Sequence, residues 1–210
     1  MKTKNEKTAK APRPALRQNK REVLLQAAIE VFAAKGSNCA TIADVAKKAR
    51  VALGTVYVYF ESKDDLLQHC MQEIVDSELA SIIKKTEGIL DPMDRLYAFF
   101  QHHVAMIKEK PHVARFITVE ARQSESFTSR NPGYNPLHKY LEFVKNITIK
   151  AIKEKQIQAI DPDAFALILV GTMDIVLSQW ITNSTSINIE TLIVNIRKIL
   201  HPGVAIILEK

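Results

Sequence analysis

The stretch from Thr41 to Lys63, TIADVAKKARVALGTVYVYFESK, constrains the fold more tightly than any other part of the 210-residue chain. Thr41 offers a side-chain oxygen to the free backbone N–H groups of a helix start, and Asp44, three residues on, stands where an acidic cap partner belongs. Ile42, Val45, Ala46 and Ala49 then recur at the spacing of one buried helix face, with Ala43, Lys47 and Lys48 on the other. After Arg50 and Val51 the pattern restarts. Val56 and Phe60 stand at i and i+4 with Tyr57 beside them, while Gly54, Thr55, Val58 and Tyr59 point elsewhere. This second helix is too short and too apolar to persist alone in water, so it needs the first helix and a third for support. Two short helices, a tight turn and a displayed second helix make a helix-turn-helix, whose second helix enters the DNA major groove.

A supporting helix is expected from about Arg17 to Lys35, with Val23, Leu24, Ala27, Ala28, Val31 and Phe32 as its apolar stripe and Gly36 as its stop. Together, LLQAAIEVFAAKG (Leu24–Gly36), TIADVA (Thr41–Ala46) and GTVYVYFESKDDLL (Gly54–Leu67) resemble the N-terminal DNA-binding domain of the tetracycline-repressor (TetR) family of bacterial transcriptional regulators. The resemblance covers about a quarter of the chain, Lys20 to Leu67. It implies phosphate contacts from Thr41, Thr55, Tyr57, Tyr59 and Lys63, and base-facing positions at Ala43, Leu53, Gly54, Thr55 and Val58. Lys47, on the outward face of the first short helix, joins the DNA-facing set. For Tyr57, core packing competes with phosphate contact, because it shares a face with Val56 and Phe60; a tyrosine ring can be buried with its hydroxyl exposed. Two positions depart from the family pattern. Arg50 occupies the turn where glycine is usual, which implies a left-handed backbone on a residue that disfavours it and a looser turn. Ala52 replaces the usual serine or threonine cap.

None of the base-facing positions is Arg, Lys, Asn or Gln, which removes the usual bidentate readers of guanine and adenine. The head is therefore expected to read thymine methyls, hydroxyl contacts and groove shape on a T-rich, pseudo-palindromic operator.

The positive charge sits elsewhere. Residues 1–70 hold 13 Lys/Arg against 7 Asp/Glu, which accounts for the whole net charge of +6, and residues 71–210 hold 16 of each. Residues 1–21 alone carry 8 basic side chains and 1 acidic one. Residues 1–16 read as a disordered basic arm, either solubilising or DNA-tracking, and the part nearest the first helix, including Arg17, favours DNA contact.

Beyond residue 62 helical periodicity continues and no strand alternation or internal repeat is visible, so the fold class is all-α. A helix-turn-helix domain over 17–62 would be followed by a helical effector-binding and dimerisation domain over 63–210. Its helices are expected from Ser62 or Lys63 to Gly88, Pro92 to Lys110, Pro111 to about Ser126, Leu137 to Lys155, Pro162 to about Thr182, and Ile189 to Leu200, where His201-Pro202-Gly203 would interrupt the last. Residues 126–136 read as a loop. The fifth of these helices is apolar almost all round and needs partners all round. The economical solution is a homodimer in which the last two helices meet their copy as a four-helix bundle, setting two reading heads about 34–36 Å apart.

Other functions are disfavoured. No nucleophile–base pairing, metal-ligand spacing or phosphate-cradling glycine loop appears, so neither an enzyme nor a metal or cofactor is expected. The two cysteines, Cys39 and Cys70, suit a reducing cytoplasm. No apolar run is expected to reach the roughly 20 residues that span a bilayer, because Gly171 and Asp174 interrupt the closest one, and the N-terminus lacks the apolar stretch of a secretion signal. The remaining alternative is a helical binding or interaction protein with a degenerate DNA head.

Within the effector domain, polar groups set among aromatics mark a candidate pocket: Phe100, His103, Phe116, Glu120, Tyr140, Asp174 and Ser178. VEARQS (Val119–Ser124) and GTMDIVLSQW (Gly171–Trp180) are similar to TetR-type fatty-acid-degradation repressors that leave DNA on binding acyl-CoA. That resemblance implies an apolar effector such as an acyl-CoA, with Arg115, Arg122 or Arg130 at its phosphates; a hydrophobic drug fits the same residues.

Overall fold

The computed structural model describes residues 14–118, 135, 137–183 and 188–204, with the side chains of 14–17, 192 and 199–204 outside that description. Among the described residues the chain is helical without a strand: α1 (Pro14–Lys35), α2 (Ile42–Lys48), α3 (Leu53–Tyr57), α4 (Lys63–Thr86), α5 (Pro92–Glu109), α6 (Pro111–Thr118), α7 (His138–Lys153), α8 (Pro162–Ile181) and α9 (Ile189–Val204). The all-α expectation holds.

Local chemistry accounts for most boundaries. Thr41 and Asp44 form the full capping box at α2. Ser62 caps α4, Asp91 caps α5 and Asp161 caps α8, the last two followed by proline in the first turn, where its missing N–H costs nothing. Gly36 and Gly88 take positive φ at helix ends. α1 starts at Pro14, three residues inside the segment expected as an arm. α9 runs on through His201-Pro202-Gly203 to Val204, contrary to the expected interruption. A proline in the last turn removes one intrahelical bond, which is too little to end a helix already anchored by its upstream face.

α1 lies at the centre of the head, packed against α2, α4 and α6. Its buried face is wider than the sequence stripe: Leu25 and Ile29 are buried with Leu24, Ala27, Ala28, Val31 and Phe32, whereas Val23 is exposed. Apolar recurrence alone does not say which of two adjacent apolar residues turns inward. α4 then carries the chain out of the head, and α5, α6, α7 and α8 gather around a core of Leu96, Phe99, Ile107, Phe116, Tyr140 and Val144. α9 is tied to α5 by Arg197, which binds Asp94 at 2.6 Å and lies over the ring of Tyr97.

α8 corrects one expectation. Gly171 and Asp174 do not break it, and its 20 residues are long and apolar enough by length and composition to cross a membrane. It packs against α7, α6 and α5 through Phe165, Ala166, Leu169, Val170, Met173 and Leu177.

Candidate DNA interface and effector core

The reading head is built from the turn outward. Arg50 adopts φ 56°, as the glycine-favouring turn position implied. The expected looseness is absent. Val51 N–H donates to Ala46 O at 3.0 Å and Arg50 N–H to Lys47 O at 3.2 Å, the paired bonds of a closed Schellman turn. The backbone of Arg50 bears the strain and the hydrogen bonds hold it there.

On that turn α3 projects outward. Val56 and Phe60 are fully buried, and Arg21 covers the Phe60 ring at 5.5 Å. Leu53, Tyr57 and Val58 are 47%, 53% and 62% exposed. Gly54 lies open, with no atom within 4 Å of where a Cβ would stand, and Thr55 is half-buried. The two tyrosines divide differently from the face argument: Tyr57 is displayed, while Tyr59 is half-buried and packs on the core. α3 ends at Tyr57, so Phe60 reaches the core from a turn, and helical spacing is no guide to where Tyr57 points. Ala52 starts α3 with no side-chain cap.

Around α3, Ala43 and Lys47 are exposed on α2, and Lys48 is engaged with Glu30 at 2.5 Å. Thr41 is exposed, but its hydroxyl accepts from Asp44 N and donates to Asp44 Oδ2 at 2.8 Å. Lys35 binds the same carboxylate, and its hydrogen bond, with those of Thr41, holds Asp44 down to about 2. Lys63 donates to the carbonyls of Asn38 and Ala40, at 3.3 and 3.1 Å, which ties α4 to the approach of α2. The start of α4 also carries Asp64 and Asp65, which offset the positive helix end that was expected to attract phosphate. Thr41 and Lys63 thus position the head, and the two carbonyls use two of the three ammonium donors of Lys63. The side chain of Arg17 lies outside the described residues.

The pocket candidates fall into three places. His103 and Tyr140 come together in the α5–α7 core, ring centroids 5.1 Å apart, with Phe99 against both and Phe100 beside Phe99. Phe100 also lines a cleft of about 20 Å³, room for about one water, with Met93, Tyr97, Phe165, Ile196 and Arg197. Phe116 stacks instead on Phe32 of α1, at the joint between head and body. Asp174 and Ser178 are half-buried and share the outward side of α8 with Gly171 and Ile175. Glu120, Arg122, Arg130 and the loop expected over 126–136, apart from Asn135, lie outside the described residues.

Sequence reasoning missed two features. The first is a buried ionic cluster: Glu78 of α4, 5% exposed, accepts from His102 Nε2 at 2.7 Å and Lys110 Nζ at 3.1 Å, while Lys85 lies 3.2 Å from His102 Nδ1. The hydrogen bond from His102 holds the Glu78 carboxyl at about 2 against its burial, with Lys110 assisting. Glu78 stands in DSELAS (residues 76–81), where nothing local marks one carboxylate of the helix as buried, so no sequence signal separated it from its neighbours. The second is an open groove of about 600 Å³ around the α4–α5 turn, lined by Ile83, Lys84, Ile89, Leu90, Arg95 and Lys150, with Leu90 89% exposed.

With this geometry in hand, similarity to known proteins is informative. Residues 24–70 match bacterial regulatory proteins of the tetR family, and residues 67–203 match the C-terminal region of YsiA-like proteins. The fatty acid metabolism regulator protein of Bacillus subtilis (strain 168) is 24% identical over 182 residues, 86% of this chain and 93% of that protein. The nicotine-responsive transcriptional repressor HdnoR of Paenarthrobacter nicotinovorans is 26% identical over 161 residues, 74% and 80% of the two chains. Among solved structures, the transcriptional regulator FadR from Bacillus subtilis in complex with stearoyl-CoA superposes with a TM-score of 0.75 at 23% identity, covering 85% of this chain and 96% of that one. That likeness shows a shared fold. Matched along nearly its whole described length, the chain belongs to the tetR family of bacterial regulatory proteins and is a DNA-binding transcriptional regulator, not an enzyme.

Proposed function

We propose that the protein is a cytoplasmic, homodimeric repressor that holds a T-rich pseudo-palindromic operator through two copies of α3 and leaves it when an apolar effector, a fatty acyl-CoA being the leading candidate, binds the helical domain. The display of Leu53, Tyr57 and Val58 on a fully buried scaffold carries the DNA reading. Two large side chains exposed in a five-residue helix, with Val58 exposed at its C-cap, have no use in the monomer's own core, and their chemistry suits thymine methyls and phosphate. The closed turn at Arg50 supports an intact rather than a degenerate head.

Dimerisation is supported by the outward side of α8 and α9. Leu167, Ile168 and Ile175 are 64%, 58% and 55% exposed, Val194 of α9 is exposed as well, and Gly171 between them leaves open space for a close approach. A patch of this kind on the helix that is apolar all round calls for a partner. Asp174 and Ser178 share this side of α8, which favours a place at the dimer face over one in the effector pocket.

The acyl-CoA reading draws on the fatty acid metabolism regulator and on the stearoyl-CoA complex of a protein with this fold. Its test is the addition of long-chain acyl-CoA to a protein–operator complex followed by fluorescence anisotropy. Release at micromolar ligand is expected; unchanged DNA affinity removes acyl-CoA as effector and leaves the DNA-binding reading intact.

A further inference from the structure

Three buried side-chain polar atoms among the described residues lack a hydrogen-bond partner: Arg95 Nε, His103 Nε2 and Tyr140 Oη. All three lie on α5 or α7, where those helices face each other. Phe99 packs against both Tyr140 and Phe143, His103 packs against Tyr140, and Arg95 and Lys150 line the same groove, so the two helices run antiparallel along one seam. Arg95 marks the solvent end, beside Lys84 and Lys150. His103 and Tyr140 mark the inner end, about 12 Å further along α5 at 1.5 Å per residue. An orphaned buried polar group costs on the order of 1–3 kcal/mol, so three along one seam are groups that a bound partner, whether water or ligand, would satisfy.

The protonation states define what the inner end accepts. His103 Nδ1–H donates to Phe99 O at 2.8 Å, and burial lowers the imidazole to about 4, so the ring is neutral and Nε2 offers a lone pair. Burial raises Tyr140, whose phenol remains an O–H donor. A carboxylate cannot donate to Nε2, and a thioester or alkyl end cannot either. A hydroxyl both donates and accepts.

Resting on the effector reading above, we propose that the inner end of the α5–α7 seam binds a hydroxyl carried on the chain of an elongated anionic amphiphile, donating to His103 Nε2 and accepting from Tyr140, with the anionic end toward Arg95. The effector class is thereby narrowed from acyl compounds in general to hydroxylated ones.

The test titrates decanoyl-CoA, ω-hydroxydecanoyl-CoA and ω-methoxydecanoyl-CoA into the full chain by isothermal calorimetry. The methoxy compound accepts but does not donate. The ω-hydroxy compound should bind at least about tenfold tighter than the other two, one charge-neutral buried hydrogen bond pair being of that size. Tyr140→Phe and His103→Leu should each erase most of that preference, read as the ratio of ω-hydroxydecanoyl-CoA to decanoyl-CoA affinity within each variant. Tyr140→Phe removes only an unpaired oxygen, so its Tm should hold or rise; a fall of several degrees would reveal a partner within the protein and overturn the proposal. Equal binding of all three compounds overturns it too, while the acyl-CoA reading stands. If none binds to a chain that still holds its operator, the subsite and the acyl-CoA reading fall together.

Discussion

Phe32 of α1 and Phe116 of α6 stack with ring centroids 6.0 Å apart and planes 10° from parallel, both fully buried. α1 supports the reading head and α6 belongs to the C-terminal helical domain, so this stack joins the two, and a shift of α6 would press on the helix that α2 packs against. The long helix α4 provides the other connection. A ligand moves the head only by binding the two arrangements of this joint unequally, with couplings typically of about 1–3 kcal/mol. Phe116→Leu retains an apolar filler but loses the flat stack. It is expected to cost about 1–2 kcal/mol of stability and to reduce effector-driven DNA release several-fold while operator affinity without effector stays within about threefold. Paired anisotropy titrations with and without effector check this, and an undiminished release would place transmission in α4 alone.

Arg50 bears a backbone conformation that L-residues disfavour by about 1–2 kcal/mol, against an entropic cost of glycine of about 0.5–1 kcal/mol. Arg50→Gly should therefore raise stability modestly, by about 0.5–1 kcal/mol, read as a higher urea midpoint at unchanged slope. Arg50→Val should lower it. A drop on Arg50→Gly would mean that the arginine side chain makes a compensating contact.

The Glu78 cluster predicts a pH dependence. Its carboxyl titrates near 2 in the folded protein and near the ordinary 4.5 when unfolded. A depressed folded value contributes stability that is complete above about 4.5 and is lost as pH falls toward 2, with a ceiling of about 3 kcal/mol. Thermal melts of the native chain should therefore fall steeply across that window, and Glu78→Gln should flatten that part of the profile while lowering stability at neutral pH. Parallel profiles for the two proteins would show that the cluster is not responsible.

Tyr57 is the clearest separation of function from stability. Being half-exposed, it should tolerate Tyr57→Ala within about 0.5 kcal/mol in unfolding, yet operator affinity should drop by about ten- to a hundredfold. Equal loss in both measurements would return Tyr57 to the core.

Much of this architecture was legible in the sequence because its signals are local. The Thr41–Asp44 box, the prolines at 92 and 162 and the glycines at 36 and 88 act within a few residues, and the structure uses each of them. What was not legible depends on distant partners. Tyr57 is displayed and Tyr59 half-buried because α3 ends before Phe60. Phe116 stacks on Phe32 because α6 meets α1, and Asp174 and Ser178 stand beside exposed Gly171 and Ile175 through the rotation of α8, which an all-apolar helix does not reveal. Glu78 becomes a buried anion only once His102 and Lys110 arrive from another helix.

Selection of bound sequences from random duplex DNA tests the central claim most directly. Enrichment is expected of an inverted repeat whose T-rich half-sites lie one helical turn, about 10 base pairs, apart or a multiple of it, lost with Tyr57→Ala. Recovery of no preferred sequence, or of a single unpaired half-site read chiefly through guanines, would contradict it.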